Sequence, residues 1–328
     1  MTSRIRRSLL ALVAAGSLGG AAQAQPPAQA AWPSRPIRIV APFPPGGLAD
    51  VLARTVGDEL GRSLGQPVVV DNRAGAGGNV GAEVVARAAP DGYTLMMSST
   101  GILSINQFLY PTLGFDPEKG FEPISVIADM PMLLVVNPRV EARTAREFVA
   151  LAQANPGKLN FGSAGNGTTG HLALALFTAM ADVRLQHVPY RGAAPAVQDV
   201  LSGQLDGVFD NPPTVISHIR AGALRPLLAT SSQRMPLLPE VPTAAEVGLP
   251  QYSPSSWFGL AAPAGTPEPA LARLQAEVAR AVRQPAMQRM EEQGMRMVGN
   301  TREEFARLIV AERERWGDAI RRANIRLE

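Results

Sequence analysis

Two glycine-rich loops, one in each half of the chain, constrain its fold more than any other feature. Each follows a β-like run and leads into a helix-like run; the first spans residues 42–47 and the second residues 162–170. A helix N-terminus leaves backbone N–H groups unpaired and carries partial positive charge, so it can hold an anion without a buried lysine or arginine. Two such ends predict a small anion held between two lobes, although an ordinary strand-to-helix connection gives the same pattern at either loop alone.

The first residues carry the features of a secretory signal peptide. Arg4, Arg6 and Arg7 form a basic region, residues 9–22 are uncharged, small and apolar, and the triplet at 22–24 is Ala-Gln-Ala, a cleavage pattern. The apolar run is too short to span a membrane. We therefore expect residues 1–24 to be a signal peptide, with a second cleavage pattern at 28–30, and the mature protein to be periplasmic.

Removal of that peptide changes the charge of the chain. The full sequence has 31 Lys and Arg against 28 Asp and Glu, and the signal region removes three arginines and no acids, leaving 28 of each. The remainder has no basic run, so we expect no nucleic-acid or membrane-surface partner. Absence of cysteine from the sequence excludes disulfides and thiolate sites. His171, His187 and His218 lack metal-ligand spacing, so we expect neither a metal nor another cofactor.

Strand-like and helix-like runs alternate beyond Trp32. This alternation predicts an α/β protein of two lobes, each a mainly parallel sheet flanked by helices. The predicted strands are 37–41, 68–71, 94–97, 133–136, 159–162, 207–209 and 227–229. The predicted helices are 50–64, 79–88, 144–154, 170–180, 194–202, 213–221 and 268–283.

The C-terminal third departs from the alternation. Residues 234–267 are rich in proline and predict a long irregular segment, and a final amphipathic helix is expected over 302–323. We expect this end to return to the N-terminal lobe, so that residues 32–134 and 230–328 form the first lobe and residues 135–229 the second. The crossings are expected near Val135 and Ala229.

Two enzyme interpretations can be compared with these patterns. Residues 75–81 read G-x-G-x-x-x-G, with Val80 in the place of the third glycine of a dinucleotide fingerprint, which argues against nucleotide binding. Ser163 precedes His171 by eight residues, and Asp210 can complete a triad, so a secreted serine hydrolase remains an alternative. The loop around Ser163 lacks the leading glycine of a nucleophile elbow, and His171 can equally donate to a loop carbonyl.

A set of motifs in order along the chain resembles one family. They are W-P-S-R-P-I at 32–37, P-F-P-P-G-G at 42–47 with Asp50, D-N-R at 71–73, G-A-G-G-N-V-G at 75–81, A-P-D-G-Y-T-L at 89–95, P-G-K-L-N at 156–160, S-A-G-N-G-T at 163–168, H-L-A at 171–173, H-V-P-Y-R-G at 187–192, L-P-E-V-P-T at 238–243, W-F-G-L at 257–260 and A-P-A-G-T-P at 262–267. The resemblance is to the Bug-type (TctC-like) periplasmic solute receptors of tripartite tricarboxylate transporters.

The resemblance implies a Venus-flytrap binding protein that has no enzymatic activity and acts as a monomer. It would close on a small carboxylate and deliver it to integral-membrane transporter subunits. A periplasmic sensor that feeds a membrane histidine kinase would share the same binding chemistry, so the sequence leaves both roles open.

The resemblance also implies which residues form the site. The ligand carboxylate is expected to be held by backbone N–H groups and ordered water at the first loop, with the hydroxyl-rich second loop opposite. Asp210 can accept from a ligand amine or hydroxyl, or can cap the helix that starts at Pro212. The expected site residues are Phe43, Pro44, Gly46, Gly47, Leu48, Asp50, Ser98, Ser99, Thr100, Ser163, Ala164, Gly165, Thr168, Thr169, His171, Tyr190, Arg191, Asp210 and Asn211.

One position departs from the family pattern. Family members often have small or hydroxyl residues between Gly47 and Asp50, where this chain has Leu48 and Ala49. If Leu48 faces the cleft, it replaces a polar contact by an apolar wall. We then expect a ligand with one carboxylate and an apolar or aromatic body to bind better than citrate-like ions.

Overall fold

The structure, a computed structural model, describes residues 32–326, and the expected signal peptide lies outside them. The strands are β1 (Ile37–Ala41), β2 (Val68–Asn72), β3 (Thr94–Ser99), β4 (Phe121–Pro131), β5 (Leu133–Val136), β6 (Asn160–Ser163), β7 (Gln186–Pro189), β8 (Gly207–Asp210), β9 (Arg225–Ala229), β10 (Ser255–Pro263) and β11 (Arg296–Met297). The α-helices are α1 (Leu48–Leu64), α2 (Asn79–Ala86), α3 (Ala145–Ala154), α4 (Thr169–Met180), α5 (Ala193–Ser202), α6 (Pro212–Arg220), α7 (Glu268–Ala281), α8 (Pro285–Gln288) and α9 (Arg302–Arg322).

The first sheet forms the first lobe and has the order β11-β4-β10-β3-β1-β2. Alternate side chains of β1 point to opposite faces, which gives the sheet two apolar cores. Ile37 and Ile39 pack with residues of α1 and α7 on one face, whereas Val40 packs with residues of α2 and α9 on the other. Both faces are therefore covered by helices.

The second sheet forms the second lobe and has the order β7-β6-β8-β5-β9. Leu134 and Val136 of β5 pack with α3 and α4, and Leu133 and Val135 pack with α5 and α6. In both lobes, helices therefore cover the two faces of the sheet.

Both sheets are mixed, so the expectation of mainly parallel sheets is wrong in this detail. Three of the five pairings in the first sheet, β3 with β10, β10 with β4 and β4 with β11, are antiparallel. In the second sheet β5 runs antiparallel to both β8 and β9. The sequence analysis misses β4 and β10, the two strands next to the lobe boundary. Because β10 is buried along nearly its whole length, it lacks the alternation that marks a half-exposed strand.

The first crossing between the lobes lies three residues from the expected Val135, whereas the second lies well beyond the expected Ala229. β4 of the first sheet ends at Pro131 and β5 of the second begins at Leu133, so the first crossing is at Met132. Residues 230–252 pack on the second sheet, where the Tyr252 hydroxyl donates to the Ala173 carbonyl at 2.8 Å. The chain returns to the first sheet only at Pro254, because the proline-rich segment covers the second lobe first.

Helix α9 joins the two lobes. Thr301 and Glu304 form a capping box that fixes its start. Its first half packs on the first sheet through Phe305, and its second half places Trp316 in contact with a cluster that includes Leu172 of α4. Among residues 32–326, no helix has the length and apolarity to cross a membrane.

Candidate functional site

Four helix N-termini face one cavity between the lobes. The first turns of α1, α4, α5 and α6 all contribute to its walls, and the cavity encloses about 820 Å³ when its open mouth is counted. No described side chain caps any of these four ends. At α1, α4 and α5, the backbone N–H groups that a cap would otherwise occupy are thus open to a ligand.

The wall from the first lobe is the loop between β1 and α1. Phe43, Pro44, Gly47 and Leu48 line the cavity, as the sequence analysis expects. Val51 is the first residue of α1 whose N–H donates to this loop, and its acceptor is the Gly47 carbonyl at 3.0 Å. The preceding N–H groups, at residues 48 and 49, therefore face the cavity end of the helix without an intrahelical acceptor.

Asp50 and Gly46 shape this loop and do not line the cavity. The Asp50 carboxylate accepts from the Gly46 N–H at 2.9 Å, from Arg54 Nε at 3.0 Å and from Asn72 Nδ2 at 2.9 Å. Burial raises the pKa of Asp50, but these donors outweigh burial and hold the pKa below its usual value. The oxygens of Asp50, an expected site residue, are therefore occupied by the loop itself.

Only one of the three expected hydroxyls at the end of β3 reaches the cavity. Ser99 lines it. Ser98 Oγ donates to the Gly259 carbonyl at 2.7 Å, and Thr100 Oγ1 accepts from the Trp257 N–H at 3.0 Å. Ser98 and Thr100, both expected site residues, thus hold β10 against β3 and lie outside the cavity lining.

The wall from the second lobe begins with the loop between β6 and α4. Ala164, Thr168 and Thr169 line the cavity. Ser163 is fully buried behind it, with Oγ 2.7 Å from His187 Nε2 and a second contact to the Gly165 N–H at 3.1 Å. Ser163 and Gly165 are therefore part of the loop's internal support, contrary to their expected place in the lining.

His171 stacks on His187 beneath the same loop. Their ring centroids are 4.3 Å apart, and His171 Nδ1 accepts from the Gly167 N–H at 3.2 Å. Burial lowers the pKa of His171 to about 3 and that of His187 to about 4, so both rings are neutral at pH 7. His171 does not line the cavity, and the partner of Ser163 is His187, so the triad weighed in the sequence analysis is not assembled.

The start of α5 supplies the next part of this wall. Arg191 lines the cavity and is exposed, which places its charge at the rim. Tyr190 does not line it, because its hydroxyl hydrogen-bonds to Asp199 Oδ2 instead. Burial, together with this carboxylate, raises the pKa of Tyr190 to about 12. The Tyr190 hydroxyl therefore supports α5 from outside the cavity lining.

Asp210 and Asn211 form the wall at the end of β8. Both line the cavity, and Asp210 is only 5% exposed. Asp210 Oδ1 accepts from the Asn211 N–H at 2.7 Å. Burial raises the pKa of Asp210 to about 6, against the opposing effect of that hydrogen bond.

Close packing of α4 on β8 brings the two halves of the second wall together. A Cβ at Gly170 would lie 2.6 Å from the Phe209 carbonyl oxygen, a distance that no side chain allows. Gly170 therefore lets the first turn of α4 contact the end of β8, so that Thr169 and Asp210 face the same cavity.

The lobes contact each other beside the cavity. The Tyr110 hydroxyl of the first lobe donates to the Asn166 carbonyl of the second at 2.9 Å. A Cβ at Gly77 would lie 2.3 Å from that same carbonyl oxygen, so the two backbones meet directly. Asn106 of the first lobe donates to the Gly77 carbonyl at 3.3 Å and to Asn79 Oδ1, and a Cβ at Gly167 of the second lobe would lie 2.2 Å from the Asn106 side-chain oxygen. The described conformation is therefore one in which the lobes are closed on one flank.

Sequence reasoning misses several residues that line the cavity. Met132 lies at the first crossing, and Ser256 and Phe258 lie in β10 just after the second; all three line the cavity. Phe258 belongs to the W-F-G-L motif at 257–260, and Ser256 lies within the proline-rich segment, where no strand is predicted. The other missed lining residues are Pro45, Ala49, Gly77, Gly101, Gly170, Gly192, Ala193, Ala194, Pro195, Phe209 and Thr214. Within residues 32–326, no three His, Asp or Glu side chains are grouped as a metal site.

Comparison with known proteins identifies the family of this two-lobe architecture. Residues 52–325 match the family model described as "Tripartite tricarboxylate transporter family receptor", TctC. The chain belongs to this family. As a TctC-family protein it is a receptor of the periplasmic binding-protein type, with the two-lobe α/β fold that this implies.

Three relatives support the assignment over nearly the full length. Protein BugT of Bordetella pertussis is 37% identical over 299 residues, which are 90% of this chain and 92% of BugT. The R. palustris protein Rpa4515, solved with adipate, is 36% identical with a TM-score of 0.87, covering 90% of this chain and all of that one. MatC (Rpa3494) from Rhodopseudomonas palustris, with bound malate, is 34% identical with a TM-score of 0.84, covering 88% of this chain and all of that one.

Proposed function

We propose that this TctC-family protein binds one small carboxylate between its lobes and delivers it to the integral-membrane subunits of a tripartite transporter. The observation that carries the proposal is the convergence of uncapped helix N-termini from both lobes on one cavity. A carboxylate placed there accepts hydrogen bonds from backbone N–H groups and gains from the helix dipoles.

The polar groups that line the cavity suit a ligand with one or two negative charges, such as a small carboxylate, better than a more highly charged anion. The donors we assign are the N–H groups at the starts of α1, α4 and α5, supplemented by the hydroxyls of Ser99 and Thr169. Arg191 is the single cation among the described lining residues, and it is exposed at the rim. Neutral donors that are fixed by the fold bind one or two charges without the cost of burying a lysine or arginine.

The relatives point to the same ligand class. The two solved proteins of 34–36% identity are described with adipate and with malate, which are both dicarboxylates. Leu48 lines the cavity and also packs against the core of the first lobe, so we retain the expectation that an apolar ligand body is accommodated beside it.

Binding without turnover is part of the proposal. Ser163, the one nucleophile weighed in the sequence analysis, is fully buried and outside the cavity lining. A hydrolase needs its nucleophile within reach of the substrate, whereas Ser163 Oγ is hydrogen-bonded to His187 and to the backbone of its own loop. Residues 1–24 are proposed to be removed on export to the periplasm, and intact-mass measurement of the periplasmic form tests this.

A thermal-shift screen followed by calorimetry tests the receptor function. Mature protein is screened against mono-, di- and tricarboxylates, and each hit is titrated and the ligand recovered for analysis. A ligand at a hundredfold excess over its dissociation constant stabilises the folded state by about 2.7 kcal/mol, which is several degrees in melting temperature. We expect one ligand per chain, recovered unchanged. Failure of every carboxylate to shift the melting temperature of a folded, ligand-free sample would reject the proposal.

A further inference from the structure

One of the four helix ends at the cavity differs chemically from the other three. Helix α6 begins with Pro212 and Pro213, which have no N–H, so its first two positions cannot donate a hydrogen bond. The first turns of α1 and α4 retain their N–H groups, and α5 retains those of Ala193 and Ala194. The cavity therefore has donors on three sides and lacks helix-end donors on the side of α6.

The side without those donors carries an unused acceptor. Asp210 precedes α6, lines the cavity and is 5% exposed. Its Oδ1 accepts from the Asn211 N–H at 2.7 Å, but its Oδ2 has no partner among the residues that the structure describes. The Oδ1 atom of the neighbouring Asn211 is also buried without a partner there. A buried oxygen of this kind is stabilised when a ligand or a water supplies a donor.

The hydroxyls next to Asp210 are engaged elsewhere. Thr214, in the first turn of α6, is close enough to lower the pKa of Asp210, but its hydroxyl donates to the Asn211 carbonyl at 2.7 Å. Thr168 Oγ1 on the opposite helix end donates to the Gly165 carbonyl at 2.7 Å. Arg191, the cation that lines the cavity, is exposed at the rim. A donor group on the ligand can reach Asp210 Oδ2 from the cavity, where it would take the place of a bound water.

We propose that the cavity selects carboxylates that also carry a hydrogen-bond donor, a hydroxyl or an ammonium group, which binds Asp210 Oδ2. This proposal rests on the proposed function, since it assumes that the carboxylate itself is held by the N–H groups of α1, α4 and α5. The ligand then spans the cavity from the helix ends to the end of β8. An analogue that lacks the donor leaves the Asp210 oxygen buried and unpaired, and a site built around such a bond discriminates strongly against it.

Calorimetric titration of matched ligand pairs tests this selection. The hydroxyl pairs are lactate with propionate, malate with succinate and mandelate with phenylacetate; the ammonium pairs are alanine with propionate and aspartate with succinate. In at least one pair we expect the donor-bearing member to bind more tightly by roughly tenfold or more. The pairs cover small, dicarboxylic and aromatic bodies, so the result does not depend on knowing the natural ligand.

Variants of Asp210 locate the effect. Asp210→Asn keeps nearly the same shape, and its amide oxygen can still accept from the Asn211 N–H, so that its NH₂ group points toward the ligand. The preference for ligands with an ammonium group should then be lost. The preference for ligands with a hydroxyl should fall to about threefold or less. Asp210→Ala removes the acceptor and should reduce both preferences to about threefold or less. The control is Asp58→Asn, which makes the same change at an exposed position of α1 and should leave every ratio unchanged.

The outcomes separate this inference from the proposed function. Equal affinity within every pair, or a preference that Asp210→Asn and Asp210→Ala both preserve, overturns the role of Asp210 while the carboxylate receptor stands. If no member of any pair binds and the wider carboxylate screen also fails, the proposed function itself is wrong.

Discussion

Both walls of the cavity present helix N-termini, but the side chains around those N-termini differ between the two lobes. The wall from the first lobe has the apolar residues Phe43, Pro44 and Leu48, and its described lining residues include no ionisable group. The wall from the second lobe carries Asp210 and Arg191, and behind it lie the stacked rings of His171 and His187. We infer that the backbone N–H groups of the first lobe bind any carboxylate, whereas the charged side chains of the second lobe distinguish one carboxylate from another.

The largest expected effect comes from the first wall, at Gly47. Gly47→Val places a branched side chain at the start of α1, where even a Cβ would lie 3.3 Å from the Pro44 carbonyl oxygen and would stand in front of the adjoining N–H groups. Loss of two hydrogen bonds to a charged carboxylate should weaken binding by about a hundredfold or more. Calorimetric titration of the best ligand measures the change in affinity. Normal affinity in Gly47→Val would show that the N–H groups of α1 do not bind the carboxylate.

Asp210 in the second wall should lower the stability of the ligand-free protein at neutral pH. Burial raises its pKa from 3.8 to about 6, so the folded state holds its proton more tightly than the unfolded state does. The stabilising contribution is complete below pH 3.8 and is lost as the pH rises through 6, a difference of about 3 kcal/mol at pH 7. Asp210→Asn should therefore melt several degrees higher than the wild type at pH 7, and the gap should close near pH 4. A difference in melting temperature that does not depend on pH would contradict the raised pKa of Asp210.

The histidine pair should have the opposite pH dependence. Burial lowers the pKa of His187 to about 4, so its neutral form contributes stability that is complete above pH 6.5 and is lost as the pH falls toward 4. At pH 5 the loss should be about 2 kcal/mol. His187→Gln, which can retain a hydrogen bond to Ser163, should flatten the fall in melting temperature between pH 7 and pH 5. His218→Gln, on α6 outside the pair, is the control and should leave the fall unchanged.

The smallest expected effect is that of Arg191→Gln. Arg191 is exposed at the rim, where water and salt screen its charge, so the variant should change affinity by about threefold or less at physiological salt. Association rates at low salt should fall more than the equilibrium affinity does. If Arg191→Gln abolished binding while Gly47→Val left it intact, the roles given to backbone and side chain would be reversed.

The helices and the site's main loops follow from local sequence. The predicted helices begin and end within two residues of α1 to α6 and of α7, because their apolar spacing, glycines and prolines are local signals. The strand–glycine–helix pattern likewise predicts the loops at 42–47 and 162–170, whereas the ligand-binding role of the hydroxyls at 168 and 169 rests on the family resemblance. The strand at 37–41 is confirmed with the same limits.

Several polar residues near the site could not be assigned by the same reasoning. Ser98, Thr100, Ser163 and Tyr190 have the polar groups that a ligand site needs, and each lies beside a residue that does line the cavity. Their hydrogen bonds go instead to neighbouring parts of the fold; for Ser98 the acceptor is the carbonyl of Gly259, 161 residues away. A sequence shows that a group can donate or accept, but the partner depends on which strands become neighbours.

The sequence by itself determined the local elements and the supply of helix N-termini, since capping, turn and periodicity preferences act over a few residues. Only the tertiary structure decided that β4 and β10 run antiparallel to their neighbours, that the proline-rich segment covers the second lobe, and that Met132, Ser256 and Phe258 line the cavity. It also decided that Asp210 is buried with one oxygen unpaired. The physical reason is that strand pairing, burial and the protonation of a carboxyl depend on contacts between distant segments, which no local pattern encodes.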